Sequence, residues 1–213
     1  MTLTPFQPVT GAVVPLLLPN IDTDVIIRIE RLTSQDPMDL AAFALESLRY
    51  RPDGTEDPAC VLNQAAFRGA PILLAGPNFG CGSSREPAVW ALSGLGIRVV
   101  VAPSFGDIFK VNCFQNGLLA VTLPAAGIRS LAAATSGGVA ATVDLEAQEI
   151  TVGSATWSFE VAPVQKRSLL TGRDNLELAL SDRDDIATWE AQDRLARPWA
   201  WPVPATEESG VPQ

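Results

Sequence analysis

Histidine is absent from the 213 residues. A Ser-His-Asp triad, a Cys-His dyad and a His-ligated metal therefore cannot be built from this chain alone. Any histidine-dependent chemistry must take its histidine from another subunit. Cysteine is sparse: Cys60, Cys81 and Cys113 stand 21 and 32 residues apart, with no C-x-x-C. An odd, scattered set of this kind points to reduced cytoplasmic thiols rather than a disulfide framework. The first 27 residues hold no Lys or Arg, so the basic segment that opens a secretory signal is missing. No apolar run reaches the roughly 18 residues that a membrane span needs. These absences set the expectation of a cytoplasmic protein with no membrane partner. Positive charge is also short, with 15 Lys and Arg against 24 Asp and Glu and a net charge of −9. Nucleic-acid binding normally rests on a basic excess, so that class is disfavoured.

The composition is otherwise that of a folded protein, 47% apolar and 18% charged. A chain of this length suits one domain, or one with a small appendage. The expected division is a domain over residues 1–200 and an irregular tail over 201–213, where Pro202, Pro204 and Pro212 interrupt regular structure.

Residues 12–18 read as a strand, followed by the polar cluster Asn20-Ile-Asp-Thr-Asp24, whose short side chains favour turns. Ser34 is placed to cap a helix running to about Tyr50, with Pro37 in its first turn. Arg51-Pro-Asp-Gly54 is the turn that ends it. From residue 71 the rhythm changes. Pro71 to Gly76 is a short buried strand and Pro77 to Gly82 a Gly-rich loop. Ser83 to Leu95 reads as a helix, Arg98 to Ala102 as a strand and Phe105 to Asn116 as a helix. Leu119 to Leu123 is a strand and Ile128 to Ala134 a helix. Alternation with short links predicts parallel βαβ units, hence an α/β fold. Residues 139–145, 149–152 and 156–162 follow as a strand meander. Helices are expected over 169–180 and 185–194, the second capped within Ser181 to Asp184.

The most informative stretch is Asn78-Phe-Gly-Cys-Gly-Ser-Ser-Arg-Glu86. It lies where a strand ends and a helix opens, the place where parallel sheets bind ligands. Free N–H groups at a helix start favour an anion. Gly80 and Gly82 permit backbone shapes closed to other residues. Arg85 offers a planar fork suited to a carboxylate. The competing reading makes Ser83 or Ser84 a plain helix cap with Glu86 in the first turn. Neither G-x-G-x-x-G nor a Gly-Lys-Ser/Thr is present, so nucleotide-loop readings fall away.

Several motifs occur in order: Asn20 to Asp24 with Ile26-Ile27, Leu62-Asn-Gln64, Gly80 to Glu86, Ala102 to Phe109, Asn112-Cys-Phe, Asn116 to Leu119, and Ala196-Arg-Pro-Trp199. Together, over about residues 5–200, they resemble the small subunit of 3-isopropylmalate dehydratase, the swivel domain of the aconitase superfamily. The resemblance implies a three-layer β/β/α domain with a mainly parallel sheet. It also implies half an enzyme. In this family a large subunit carries a [4Fe–4S] cluster and the catalytic His–acid pairs, and the small subunit closes over the cleft. Three thiolates hold such a cluster, but on the large subunit, so the cysteines here are expected to be small hydrophobes and no metal is assigned to this chain. The substrate would be a small hydroxylated di- or tricarboxylic acid that loses and regains water, with an open iron position accepting the hydroxyl. By motif position Ser83 would be the base, held as an alkoxide by helix N–H groups and Arg85. Arg85 and Ser84 would bind substrate. Asp24 matches the acidic position of the first loop, whereas Asp22 reads as a turn-forming side chain.

Two departures stand out. Pro87 replaces a histidine that usually follows Ser-Ser-Arg-Glu in the family. After Ile26-Ile27 the usual proline is Arg28, followed by Ile29-Glu30-Arg31, in the segment that meets the substrate's variable group. Arg28 and Arg31 are thus candidate substrate-binding residues, against the alternative that they face solvent. Three functions remain: the isopropylmalate enzyme of leucine synthesis, a relative acting on another malate-type or tricarboxylic hydroxy-acid, and a non-catalytic partner or regulator of a large subunit.

Overall fold

Four apolar runs build the parallel half of the sheet. In a computed structural model, which describes residues 4–32 and 37–202, β1 is Val9–Leu16, β2 Ile72–Ala75, β3 Val99–Ala102 and β4 Leu119–Thr122. β2 and β3 are buried at every residue, which is why their sequences are unbroken Ile, Leu, Val and Ala rather than alternating. β1, β2, β3 and β4 pair in parallel, in that order. The connections are helical: α4 (Pro87–Gly94) joins β2 to β3 and α5 (Asp107–Gln115) joins β3 to β4, followed by α6 (Ala125–Ala134). Ahead of β2 lie the short helices α1 (Thr23–Ile26), α2 (Pro37–Ala41) and α3 (Glu46–Arg49), with α2 packed on α4.

The meander is present as β5 (Ala140–Asp144), β6 (Glu149–Val152) and β7 (Ala155–Ser158), all antiparallel. It joins the parallel wing through β1, whose residues 9–12 pair with β5 while residues 13–16 pair with β2. One strand thus serves two wings of a seven-stranded sheet of order β4-β3-β2-β1-β5-β6-β7. The α/β swivel architecture implied by the motifs is the one observed. Among the described residues no helix is long and apolar enough to cross a membrane.

The chain falls into two compact units, divided after Asp174. The first holds everything above and ends with α7 (Pro163–Thr171). The second holds α8 (Asn175–Ser181) and α9 (Arg183–Ala196). Within it Asp193 accepts hydrogen bonds from Arg197 Nε (2.7 Å) and Trp201 Nε1 (2.9 Å), folding the residues after α9 back onto the helix. Ser34 and the tail from residue 203 lie outside the described residues.

Three helix expectations are corrected. No single helix runs to Tyr50: Leu45 takes a left-handed φ of 54°, breaking the chain between α2 and α3. The expected 169–180 helix is divided at Gly172, whose φ of 67° closes α7 with bonds to the Ser168 and Leu169 carbonyls, the usual role of glycine there. The helix expected from Ser83 starts only at Pro87.

Gly80 is where the fold leaves no room for a side chain. Its φ is +71°, and a Cβ would lie 2.2 Å from the Phe109 ring. Phe109 is 1% exposed and meets fully buried Phe79 edge to face at 5.5 Å, so the ring has nowhere to move. Gly80→Ala is expected to lower stability by about 2–4 kcal/mol, combining left-handed strain with overpacking. Urea unfolding midpoints of the two proteins measure it.

Candidate active site

Beyond the carboxyl ends of β1, β2 and β3 the backbone does not splay apart. The three following loops stay hydrogen-bonded and prolong the sheet as isolated parallel bridges, Asp22 with Cys81 and Phe79 with Phe105. Asn20 N–H donates to the Pro77 carbonyl (2.9 Å), Gly80 N–H to Ile21 (2.7 Å) and Thr23 N–H to Cys81 (3.0 Å). On the other side Phe79 N–H donates to Ser104 (3.1 Å) and Gly106 N–H to Phe79 (2.9 Å). Side chains add to the ladder. Asn78 Nδ2 donates to Asn20 Oδ1 at 2.9 Å, and Asn78 N–H to Ser104 Oγ at 2.9 Å. The Asn20-to-Asp24 and Gly80-to-Glu86 motifs, 60 residues apart in the chain, thus form one platform.

Ser83, Ser84, Arg85 and Asp24 all sit on this platform. Arg85 Nη1 donates to Asp24 Oδ1, pairing the two motifs through charge. Asp24 is the more exposed partner, at 57% against 20% for Arg85. Asp22 caps α1, its Oδ1 accepting from Val25 N–H at 2.8 Å. Asp22 is thus the turn-forming acid, as expected, and Asp24 lies beside Arg85.

The helix-cap reading of Ser83 and Ser84 is not what the structure holds. The residue before α4 is Glu86, in right-handed helical conformation, and Pro87 is the first helical residue, where its missing N–H costs nothing. Ser83 and Ser84 are exposed loop residues. Among the described residues nothing hydrogen-bonds the Ser83 hydroxyl; its backbone is held instead, N–H and carbonyl both lying 3.3 Å from Thr23 Oγ1. The helix start is also less available to an anion than expected. Pro87 has no N–H, and those of Ala88 and Val89 turn back to the Arg85 (3.3 Å) and Glu86 (2.9 Å) carbonyls. Glu86 is fixed from the side by Asn116 Nδ2 at 2.8 Å, and Asn116 in turn accepts from Trp90 Nε1 at 2.8 Å.

Arg28 and Arg31 are not on the platform. They line a cavity of about 610 Å³ with Phe43, Glu46, Tyr50 and Arg51, a lining that includes none of Ser83, Ser84, Arg85 or Asp24. Their charge is answered within the chain. Glu46 accepts from Arg31 Nε at 3.1–3.2 Å and lies 3.8 Å from Arg28, which also approaches Glu30 at 3.6 Å. Arg31 stacks its guanidinium 4.5 Å from the Phe43 ring centre.

Sequence reasoning passed over Thr23, Ser104 and Phe109 as actors. Each lies inside a quoted motif, but only spatial pairing shows which neighbour it holds. The three thiols do not fit a metal cluster. Cys113 is buried and Cys60 and Cys81 are half-buried. Among the described residues no three His, Cys, Asp or Glu come together as a metal site.

Comparison with known proteins adds relatives over nearly the whole chain. The aconitase C-terminal domain family matches residues 3–126. The 3-isopropylmalate dehydratase small subunit of Rhodospirillum centenum is 47% identical over 198 residues, covering 92% of this chain and 98% of that one. The protein of the same name from Roseobacter denitrificans is 44% identical over 197 residues, 91% of this chain and 98% of that one. Among solved structures, 3-isopropylmalate dehydratase of Methanocaldococcus jannaschii superposes with a TM-score of 0.62 at 27% identity, over 86% of this chain and 99% of that one.

Burial pushes the Cys113 thiol well above its ordinary 9.0. Its neutral form therefore favours the folded state, and this contribution is lost as pH rises past the unfolded thiol's range. Alkylation of the native protein at pH 8 is expected to label Cys60 and Cys81 well before Cys113, which should react only after denaturation. Mass mapping of the labelled peptides checks the order.

Proposed function

Because the chain belongs to the 3-isopropylmalate dehydratase small-subunit family, within the aconitase C-terminal domain family, we propose that it is the small subunit of a heteromeric hydro-lyase. The enzyme interconverts 2-isopropylmalate and 3-isopropylmalate by dehydration and rehydration, in leucine synthesis. The observation that carries the reading is 47% identity extending over 98% of a named small subunit. The chain's lack of histidine supports a large-subunit partner, which supplies the remaining catalytic groups. We assign the [4Fe–4S] cluster to that partner, since the thiols here are dispersed. The cell compartment of this reading is the cytoplasm.

In this scheme Ser83 Oγ, as alkoxide, takes the proton from the carbon beside a carboxylate, and the C–O bond on the neighbouring carbon breaks. The hydroxyl departs on the large-subunit side. Rehydration with the two positions exchanged gives the isomer, Ser83 returning the proton. Arg85 clamps a substrate carboxylate with Ser84 beside it, and Asp24 orients the guanidinium through the ion pair already present. Arg85 is the candidate to stabilise the alkoxide, because the first N–H groups of α4 are engaged. Arg28 and Arg31 line the separate cavity with Glu46 and Phe43, apart from Ser83, Arg85 and Asp24, so this scheme gives them no contact with the group that Arg85 holds.

The isolated chain is expected to show neither dehydratase activity nor iron–sulfur absorbance, and an iron–sulfur spectrum from this chain alone would refute the scheme. In the reconstituted enzyme Ser83→Ala should lower kcat by roughly 10²–10⁴ with KM little changed. Its thermal midpoint should stay near the parent's, since Ser83 caps no helix. Arg85→Lys should act mainly on KM, because an ammonium cannot present two parallel donors. Near-normal turnover in Ser83→Ala removes the serine from the mechanism.

A further inference from the structure

Ser83 lies in an exposed loop with no hydrogen bond to its hydroxyl among the described residues. Yet a base must be held to a fraction of an ångström to work. Its fixing therefore has to come through the backbone. Both polar backbone groups of Ser83 converge on a single atom, Thr23 Oγ1, which accepts from Ser83 N–H and donates to the Ser83 carbonyl, each at 3.3 Å. Thr23 is 1% exposed, so water does not compete for that hydroxyl. Its own backbone is anchored on both sides: the N–H donates to Cys81 and the carbonyl accepts from Ile27, both at 3.0 Å. The residue between, Gly82, has a φ of +92° and passes so close that a Cβ there would stand 3.9 Å from Thr23 Oγ1. The segment 81–83 is draped over one buried hydroxyl.

We propose that Thr23 is a positioning residue for the dehydration, setting the place of Ser83 through this two-way hydrogen bond without touching substrate. The proposal rests on the reading of Ser83 as the base. Valine keeps the shape of threonine but neither donates nor accepts, so the Ser83 N–H and carbonyl would lose their shared partner.

The test uses the enzyme reconstituted with its large subunit. Thr23→Val is expected to lower kcat about 10- to 100-fold with KM changed less than about twofold, the scale of a small misplacement. Thr23→Ser, which restores the hydroxyl, should return kcat to within a few-fold of the parent. Combined with Ser83→Ala, Thr23→Val should cost nothing further, because the group it positions is gone. If Ser83→Ala is crippled while Thr23→Val turns over normally, the positioning role falls and the base reading stands. If the two losses multiply, Thr23 acts independently of Ser83 and the proposal is overturned. Near-normal turnover of Ser83→Ala sinks the base reading itself, a different result from either. Should Thr23→Val fail to fold, Thr23→Cys, with its weak donor and acceptor, takes its place: an intermediate kcat is expected, and parent-like kcat overturns the proposal.

Discussion

Everything at the top of the sheet depends on three loops that refuse to separate. The Gly80 N–H to Ile21 bond (2.7 Å) and the Gly106 N–H to Phe79 bond (2.9 Å) extend parallel pairing past the last strand residues. The pairing needs the Gly80 backbone to lie against the Phe109 ring, closer than any side chain allows. Helix α5 thus reaches under the platform and fixes its height, while β1 and β3 fix its two sides. A loop that would otherwise sample many shapes becomes a surface on which a serine, an arginine and an aspartate keep constant relations. That is what the proposed role as a small subunit would require: its contribution must be in place before the two subunits meet.

The placement of polar groups follows from the same constraint. Thr23 is buried because the 81–83 segment passes over it, and Arg85 turns back toward Asp24 because the first loop lies beside the second. The arginines farther along the first loop meet a different fate. Beyond α1 the chain leaves the platform, so Arg28 and Arg31 find Glu46 and Phe43 instead. Arg28 follows Asp24 by only four positions, yet the cavity around Arg28 excludes Asp24.

Much of this is legible in the sequence. The runs Ile72 to Ala75 and Val99 to Ala102 read as buried parallel strands because nothing polar interrupts them, and the structure buries every residue. Asp22 read as a turn former and caps α1. The start of α4 misled, since Ser-Ser-Arg-Glu has the chemistry of a capping box, whereas Pro87 fixes the first turn and the preceding residues are claimed by Thr23. Leu45 misled in the same way: nothing in a leucine signals a left-handed residue, and only tertiary bonding imposes it, the Leu45 N–H donating to Ile26 at 2.8 Å. The role of Thr23 was invisible for a related reason. A hydroxyl bonded across 60 residues of chain leaves no trace in local spacing.

On the proposed reading this platform serves a dehydratase for 3-isopropylmalate. The most direct measurement is turnover by the purified two-subunit enzyme across a panel of malate-type and tricarboxylic hydroxy-acids, followed through formation of the unsaturated intermediate. The highest kcat/KM is expected for the isopropylmalate pair. An enzyme that leaves 3-isopropylmalate untouched while dehydrating a more highly charged hydroxy-acid would contradict it.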